Sequence, residues 1–293
     1  MHKYQAIRRK TASYSKRAKK FWERYRKNKI AVMGLIVFIL LVFTATGSPQ
    51  IAPFDPFEID LKEKFSPPNL THLMGTDEFG RDIYSRIVWG TRVSLIIGVG
   101  TSLIAFVIGV SLGAISGYFG GKTDAVIMRV VEIFMTLPTF FLILTIVAIF
   151  GSNLLNVLIL IAITRWPSTA RLIRAQFLTF KQRDFVEAAR GLGASKSRII
   201  FSEILPNAIF PGIVDISMRS AGAIMIEASL SFLGLSDPNY ISWGRMLNWA
   251  IHYLRQGWWV SVFPGIAIAI TVLAFNLIGD GLNDALNPYS KER

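Results

Sequence analysis

The feature that most constrains this chain is residues 93–121, a stretch of 29 residues without one charged side chain. A helix of about 20 apolar residues crosses the hydrocarbon core of a bilayer, which is roughly 30 Å thick. The mean hydropathy of the whole chain is +0.44, a value that a basic soluble protein of this size rarely reaches. The sequence therefore predicts an all-α membrane protein.

Six apolar segments suggest six transmembrane helices. The first, residues 30–47, is interpreted as an uncleaved anchor because a long basic segment precedes it and no clear cleavage site follows. Residues 125–167 are too long for one span and contain Gly151, Ser152 and Asn153, which predicts two spans joined by a tight turn. The predicted membrane segments are residues 30–47, 93–121, two within 125–167, 208–235 and 256–279.

The positive charge is concentrated at the N-terminus. The formal net charge is +13, and residues 1–29 carry twelve Lys and Arg against one acidic residue. This block lies directly before the first span, so we expect it in the cytoplasm against anionic lipid headgroups in preference to an RNA-binding role. The rest of the chain is nearly neutral, and no nucleic-acid partner is expected.

A second basic cluster, residues 165–203, has eight Lys and Arg and three acidic residues. Six spans and a cytoplasmic N-terminus place this cluster on the cytoplasmic side together with the tail, residues 281–293. Residues 48–92 and 236–257 are then extracytoplasmic. The predicted location is the cytoplasmic membrane, with several spans and both termini in the cytoplasm.

Several enzyme classes are excluded by residues that the chain lacks. It has no cysteine and only three histidines, which are scattered, so a thiolate nucleophile, a Cys-ligated zinc or a histidine-rich metal site is not expected. No phosphate-binding loop of the Gly-x-x-x-x-Gly-Lys-Ser/Thr type is present. We therefore expect no catalytic residue, no metal site and no cofactor in this chain.

Residues 184–206 have the pattern of a helix, a glycine break and a second helix. Asp184 is a candidate N-cap for the first helix, and Ser195 for the second, which is expected to end before Pro206. Gly191 and Gly193 permit a tight turn between them. Such a segment between two spans is suited to docking a soluble partner.

This segment resembles the EAA loop of ABC importer permeases. Glu203 stands where the general pattern has isoleucine, but the other positions keep the spacing. In that family the loop forms a coupling helix that binds the nucleotide-binding subunit, so the resemblance implies this role for residues 187–198. The implied ATPase-coupling residues are Glu187, Ala188, Ala189, Gly191, Gly193, Ser195, Lys196, Arg198, Leu205 and Pro206.

Other blocks resemble the "C"-type permeases of the oligopeptide, dipeptide and nickel importers. They are residues 26–35, 52–56, 74–86, 117–121 and 279–288, and they cover nearly the whole chain in order. The most specific is the block before the second span. Its motif residues are Gly75, Thr76, Asp77, Gly80, Arg81, Asp82, Ser85 and Arg86.

The resemblance implies the type I ABC importer permease architecture, with the core in residues 93–280 and a long first extracytoplasmic loop. It also implies a second homologous permease chain, two ATPase subunits that hold ATP and Mg²⁺, and an extracytoplasmic substrate-binding protein. The expected substrate is a di- or oligopeptide. Relatives of this type also take nickel complexes or oligosaccharides.

Charged residues in the fifth predicted span are Asp215, Arg219 and Glu227. Such residues are costly in a membrane and tend to face protein or water. Asp215 and Arg219 are four residues apart and can pair on one helix face. They line the substrate pathway or form a structural pair, and the sequence leaves both interpretations open.

Smaller features of the membrane segments give local expectations. Arg129 and Glu132 are predicted to pair along one helix, and Pro138 to kink it. Thr76-Asp77-Glu78 is predicted to cap a surface helix over residues 79–89, which contacts a binding protein or packs on its own bundle. The tryptophans near the second outer segment are expected to anchor at the membrane interface; they are Trp243, Trp249, Trp258 and Trp259.

Three other functions would need features that the sequence does not display. A carrier driven by an ion gradient often has internal repeats and a midplane ion site. An intramembrane enzyme needs paired catalytic side chains within its spans. A membrane scaffold without transport activity is the third alternative, and residues 184–206 could then be only an amphipathic surface helix.

Overall fold

The computed structural model describes residues 19–286. Most of the predicted basic segment 1–29 and the end of the tail 281–293 therefore lie outside the described residues. Between residues 19 and 286 the backbone is helical or irregular, and its one β-bridge joins Thr76 to Asp82.

Ten helices of eight or more residues follow Asn28 in the described part of the chain. Shorter helical turns lie at Ser48–Ile51, Leu61–Glu63 and Ile251–Tyr253. The helices are α1 (Lys29–Thr46), α2 (Ile83–Phe119), α3 (Gly121–Thr136), α4 (Thr139–Phe150), α5 (Leu154–Lys181), α6 (Asp184–Gly191), α7 (Lys196–Ala208), α8 (Phe210–Phe232), α9 (Trp243–Ala250) and α10 (Trp259–Leu286).

Three helices, α1, α2 and α10, are long and apolar enough to cross a membrane within the described range. The pairs α3–α4 and α7–α8 are bent by 82° and 56°, and they raise the number to five if each pair is one span. Helix α5 has the length of a span, but it carries Arg165 in its first half and Arg171 and Arg174 in its second half. Six spans are therefore not confirmed.

The surface helix expected over residues 79–89 is wrong. Residues 76–82 form a folded loop, and Asp82 caps α2 by accepting a hydrogen bond from the backbone N–H of Ser85 at 2.7 Å. Helix α2 then continues to Phe119 through a π-helical stretch at Ile96–Gly100. Thr76 does not cap a helix, because its hydroxyl donates to the carbonyl of Glu63.

The two interruptions predicted within residues 125–167 are present. Gly151, with φ +92°, ends α4, and the Asn153 side chain caps α5 by accepting from the N–H of Leu155 at 2.8 Å. The extended backbone of Leu137 before Pro138 separates α3 from α4 at the 82° bend. Arg129 and Glu132 pair at 3.1 Å on the exposed surface of α3, as predicted.

Helices α2 and α5 pack at backbone distance because three glycines face α5. A Cβ at Gly109 would lie 2.7 Å from Thr169, a Cβ at Gly117 would lie 2.5 Å from Phe177, and at Gly113 it would overlap the Ala170 carbonyl. The absence of side chains at these three positions therefore lets the main chains of α2 and α5 come close together.

Different segments of the chain lie at the two ends of the helix bundle. At one end, termed the loop end, the indole of Trp259 at the start of α10 donates to the carbonyl of Thr76 at 3.1 Å. At the other end, termed the α6 end, Lys181 donates to the Tyr118 carbonyl near the end of α2 at 2.6 Å. The start of α1 joins this end, since Tyr25 packs on Gly281.

Two of the four tryptophans expected at the membrane interface are core residues instead. Trp243 and Trp259 are buried, and their indole N–H groups donate to the carbonyls of Ile87 and Thr76. They are buried because α9 and the start of α10 pack against the first turns of α2 and the folded loop. Trp249 and Trp258 remain exposed.

Candidate functional site

The turn between α6 and α7 is built by its glycine and its serine. The N–H of Gly193 donates to the Arg190 carbonyl at 3.0 Å and that of Ala194 to the Ala189 carbonyl at 3.1 Å, which ends α6 with Gly193 at φ +75°. Ser195 then caps α7, as predicted, by accepting from the N–H of Arg198 at 3.3 Å. A tight helix–turn–helix results.

Both predicted outer bounds of this segment need correction. Arg183 is the N-cap of α6, and Asp184 lies in the first turn, where a carboxylate favours the positive end of the helix. Helix α7 does not end at Leu205 but continues to Ala208, through a π-helical stretch at Ile199–Ile204. Pro206 follows that stretch at the start of a new α-helical turn, where its missing N–H is tolerated.

One side of this helix pair is anchored in the bundle. Val186 of α6 and Ile199, Ile204 and Ala208 of α7 are buried with Phe177 near the end of α5. Val186, Ile204, Ala208 and Phe177 have no measurable exposure. A displacement of α6 must therefore move the ends of α5 and α7 with it.

The other side of the pair is an exposed mixture of charged and apolar groups. Leu192 at the tip of the turn is 89% exposed, and Phe185 on α6 is exposed beside Glu187. We term this the α6 surface; its exposed residues are Phe185, Glu187, Ala188, Arg190, Gly191, Leu192, Gly193, Ser195, Lys196 and Arg198. Phe185 and Leu192 were not predicted as site residues, although large apolar side chains next to a glycine turn in a polar segment indicate a contact surface.

A charge cluster links α5 and α8. Asp215 accepts hydrogen bonds from the Thr169 hydroxyl at 2.8 Å and from Nε of Arg219 at 2.5 Å, so the predicted Asp215–Arg219 pair is present. Arg165 lies beside it, with its guanidinium packed against Gly222. Arg165 and Thr169 were not predicted here, because Arg165 had been assigned to the loop after the fourth span.

Glu227 does not join this cluster. It lies eight residues after Arg219, about 12 Å further along α8. Its side chain is buried and accepts a hydrogen bond from the Ser231 hydroxyl at 2.7 Å. The structure therefore brings together two of the three charged residues that the sequence singled out in this helix.

The motif at the loop end is organised around Asp77. This carboxylate accepts from the backbone N–H groups of Phe79 and Arg81 at 2.9 and 3.0 Å and from Nε of Arg81 at 2.7 Å. Nε of Arg86 lies 3.7 Å from it, and the Arg86 guanidinium also donates to the Pro56 carbonyl at 2.8 Å. One buried carboxylate thus closes the turn and ties the loop to α2.

The remaining motif residues form contacts within residues 54–85. The backbone N–H of Ser66 donates to the Thr76 hydroxyl at 2.8 Å, and the Asp82 carboxylate lies 3.0 Å from Nδ1 of His72. Ser85 accepts from the N–H of Phe54 at 3.2 Å. At Gly80, with φ +76°, a side chain would overlap the Asp60 carbonyl.

Burial perturbs the ionisable groups Glu78 and Arg245 in this region. Desolvation raises the pKa of Glu78 above its ordinary value, and the neighbouring Asp77 carboxylate acts in the same direction. The Oε2 atom of Glu78 is buried and has no hydrogen-bond donor among the described residues. Desolvation lowers the pKa of Arg245, with the positive charge of Arg81 as the second cause.

Thr76, Asp77, Glu78, Asp82, Ser85 and Arg86 are all buried. A buried residue is not available to a soluble partner, so the motif side chains pack on their own bundle. The exposed part of the loop lies before the motif, where Leu70 is 98% exposed.

Comparison with protein families identifies the chain. Residues 109–291 match the model described as "Binding-protein-dependent transport system inner membrane component". This is more than half of the chain. The chain belongs to this family. Residues 16–68 of the permease also match the N-terminal transmembrane domain of oligopeptide transport permease C.

Similar curated proteins extend over almost all of the permease. It is 41% identical over 285 residues to a di/tripeptide transport system permease protein of Pseudomonas aeruginosa, covering 95% of this chain and 94% of that one. A dipeptide transport system permease protein of Bacillus subtilis is 37% identical, with 97% and 88% covered. A glutathione transport system permease protein of Pectobacterium atrosepticum is 40% identical, with 93% and 91% covered.

A solved structure shares the fold. A chain of the MetNI methionine ABC transporter in inward-facing conformations superposes on the permease with a TM-score of 0.55 at 20% identity, covering 69% of this chain and 97% of that one. The predicted permease resemblance is confirmed, together with an all-helical membrane fold. The permease is a membrane component of an ABC transporter, whose ATPase activity resides on separate subunits.

Proposed function

We propose that this permease imports di- or oligopeptides with energy from ATP that partner subunits bind with Mg²⁺ and hydrolyse. It forms half of the translocation pathway and receives the motion of the ATPase subunits through the α6 surface. The peptide and dipeptide permeases that align with nearly the whole chain support the substrate class.

The observation that carries the coupling role is the two-sided construction of α6 and α7. One side is held by apolar groups that pack with Phe177 of α5, and the other exposes Leu192 at the tip of the turn. A fully exposed leucine between charged neighbours is suited to an apolar pocket on a soluble protein with a polar rim. A partner bound there would push on α5 and α7 together.

The complete transporter contains a second homologous permease chain, two ATPase subunits and a substrate-binding protein. The basic segment 1–29 and the charges of residues 165–203 support a cytoplasmic α6 end, with both termini on that side. The loop end is then extracytoplasmic. We count six spans by adding α5 to α1, α2, α10 and the two bent pairs.

Asp215 and Arg219 are assigned to the translocation pathway. Their side chains are 20% and 23% exposed on the edge of a membrane helix, where a charged pair is stabilised by water or a second protein chain. Glu227 is assigned a structural role instead, because it is buried and bonded within its own helix.

The test combines co-purification with uptake. Leu192→Asp should weaken binding of the ATPase subunits about 30-fold, the effect of losing a central interface anchor worth about 2 kcal/mol. Leu70→Asp makes the same change at an equally exposed leucine at the loop end and should leave ATPase binding unchanged. Co-purification from membranes and uptake of a labelled dipeptide measure both effects.

Glu187→Ala and Gly193→Ala probe the same surface with smaller changes. A side chain at Gly193 would contact no other atom within 4 Å, so its cost to folding is local strain only. If all three α6 variants keep ATPase binding and uptake, the coupling role is wrong. Uptake driven by an ion gradient without ATPase subunits would establish a secondary carrier, and selective uptake of nickel complexes or oligosaccharides would change the substrate.

A further inference from the structure

The charged side chain of Arg165 lies in the middle of α5 and is incompletely hydrogen-bonded. Its Nε atom is buried and has no hydrogen-bond acceptor among residues 19–286. The carboxylate group whose charge acts on Arg165, that of Asp215, is already engaged through Oδ2 by Thr169 and Arg219. Two guanidinium groups therefore share one carboxylate, and the cluster has a net charge of +1.

The depth of Arg165 makes this excess positive charge costly. Arg165 lies eleven residues after the start of α5, about 16 Å along the helix, and sixteen residues before its end, about 24 Å. Long cationic side chains reach the interface only from near the helix ends. An arginine at this depth is stabilised by an anion or by water in a protein-lined space.

The packing around Arg165 fixes its position. A Cβ at Gly222 of α8 would lie 2.6 Å from one terminal nitrogen of the guanidinium, so the absence of a side chain there creates the space that Arg165 occupies. Asp215, Arg219 and Gly222 lie on one partly exposed face of α8, opposite Arg165 on α5. The cluster therefore faces the edge of this chain and is not enclosed by it.

We propose that Arg165 binds the carboxylate of a peptide substrate as it passes through the pathway. This inference rests on the proposed function. A guanidinium binds a carboxylate through parallel N–H groups, and the adjacent Arg219 adds positive charge while Asp215 holds Arg219 in place. The chemistry selects a peptide with a free C-terminal or side-chain carboxylate over its neutral amide.

The first experiment compares one peptide in two forms. A tripeptide and its C-terminal amide, chosen by calorimetry so that the binding protein captures both, are supplied with saturating binding protein to vesicles containing the whole transporter. Arg165→Gln should lower uptake of the free acid about 10- to 100-fold, the factor for one charge-assisted hydrogen bond. Uptake of the amide should change less than threefold.

Two variants serve as controls in the same assay. Arg165→Lys keeps the charge but loses the parallel N–H groups, so its uptake of the free acid should lie between that of the wild type and that of Arg165→Gln. Arg129→Gln removes an exposed arginine from α3, outside the cluster, and should leave both peptides unaffected. Equal losses for acid and amide in Arg165→Gln, or no loss for either, would overturn the proposal.

A second measurement tests access to the site. The chain has no cysteine, so Arg165→Cys introduces its only thiol. Small anionic and cationic methanethiosulfonates should both modify this thiol, because the Asp215–Arg219 pair that remains has no net charge, and modification should slow when peptide and binding protein are present. A thiol that neither reagent reaches in any nucleotide state would contradict a pathway position.

The remaining readouts separate this proposal from the proposed function. ATPase activity stimulated by the binding protein should persist in Arg165→Gln, since the α6 surface is unchanged. If the variant instead loses the second permease chain on purification, that chain supplies the anion and the carboxylate site is wrong. If wild-type transporter imports no peptide at all, the proposed function fails before Arg165 is tested.

Discussion

Gly80 is a residue of the loop end at which a side chain does not fit. It combines φ +76° with a backbone contact to Asp60, whereas Gly234 has φ +87° and open space around it. Left-handed backbone alone costs an L-residue roughly 1–2 kcal/mol. The contact with Asp60 adds a displacement of the main chain to that strain.

Gly80→Ala should therefore lower the free energy of unfolding by about 3 kcal/mol or more, and Gly234→Ala by about 1 kcal/mol. Thermal unfolding of the purified transporter in detergent measures the difference. Similar melting temperatures for the two variants would show that the main chain at Asp60 moves aside at little cost, which would contradict this prediction.

Glu78 gives the loop end a pH dependence of a definite sign. Its pKa is raised in the folded chain, so the folded state binds a proton more tightly than the unfolded state does. Stability from this group is complete below the ordinary glutamate pKa and is lost as the pH rises through the raised value. Ionised Glu78 therefore destabilises the loop at neutral pH.

Glu78→Gln should raise the melting temperature at pH 7.5 and have a smaller effect at pH 4, below the ordinary glutamate pKa, where the raised pKa of Glu78 favours the protonated wild-type group. Melting curves of both proteins across this range provide the test. A gain of the same size at both pH values would exclude titration of Glu78 as the cause.

An ion pair adds to the apolar contacts of Val131 and Phe134 that hold α3 on the bundle. Nη2 of Arg174 on α5 donates to Oδ2 of Asp124 at 2.6 Å, and both side chains are partly buried. Ser116 near the end of α2 donates to the other carboxylate oxygen. Three helices therefore meet at Asp124, close to the junction of α2 and α3.

Asp124→Asn and Arg174→Gln should each lower the free energy of unfolding by about 1–3 kcal/mol, with a coupling energy above 1 kcal/mol in the double variant. The exposed Arg129–Glu132 pair is the matched control, and its coupling should be about 0.5 kcal/mol or less. Denaturation of all single and double variants measures both cycles. Equal coupling for the two pairs would show that burial adds nothing at Asp124.

The elements that sequence could predict are those whose determinants are local. Ser195 and Arg198 are three residues apart, and Asp215 and Arg219 are four apart, so helix geometry alone brings them together. Asp124 and Arg174 are 50 residues apart, and Thr76 and Trp259 are 183 apart. Such contacts depend on tertiary packing, which the spacing of residues in a sequence does not reveal. For that reason residues 79–82 of the folded loop were predicted as part of a surface helix.

The same distinction applies to the candidate site. The glycine turn and its serine cap followed from the spacing of residues 184–206. Arg165 was assigned to a loop because charge ends an apolar segment in a hydropathy pattern, although α5 continues to Lys181 as one helix. Its neighbour Gly222 lies on another helix, and nothing in a single sequence links the two positions.

At the scale of the whole molecule, the loop end and the α6 end should lie on opposite sides of the membrane. The chain has no cysteine, so Leu70→Cys and Leu192→Cys each add one highly exposed thiol. In intact cells an impermeant maleimide should label the Leu70→Cys variant, and label Leu192→Cys only after the inner membrane is permeabilised. Labelling of both in intact cells would contradict the proposed six-span topology.

The glycine-lined contact of α2 with α5 also has a mechanical consequence. Helix α2 is 37 residues long, about 55 Å, and α5 is 28 residues long, about 42 Å. The main chains approach closely from Gly109 to Gly117, about 12 Å of α2, and over this stretch the helices cannot slide or rotate past one another without overlap. Over this stretch α2 and α5 should therefore move as one unit, whereas the 82° bend between α3 and α4 lies outside the contact.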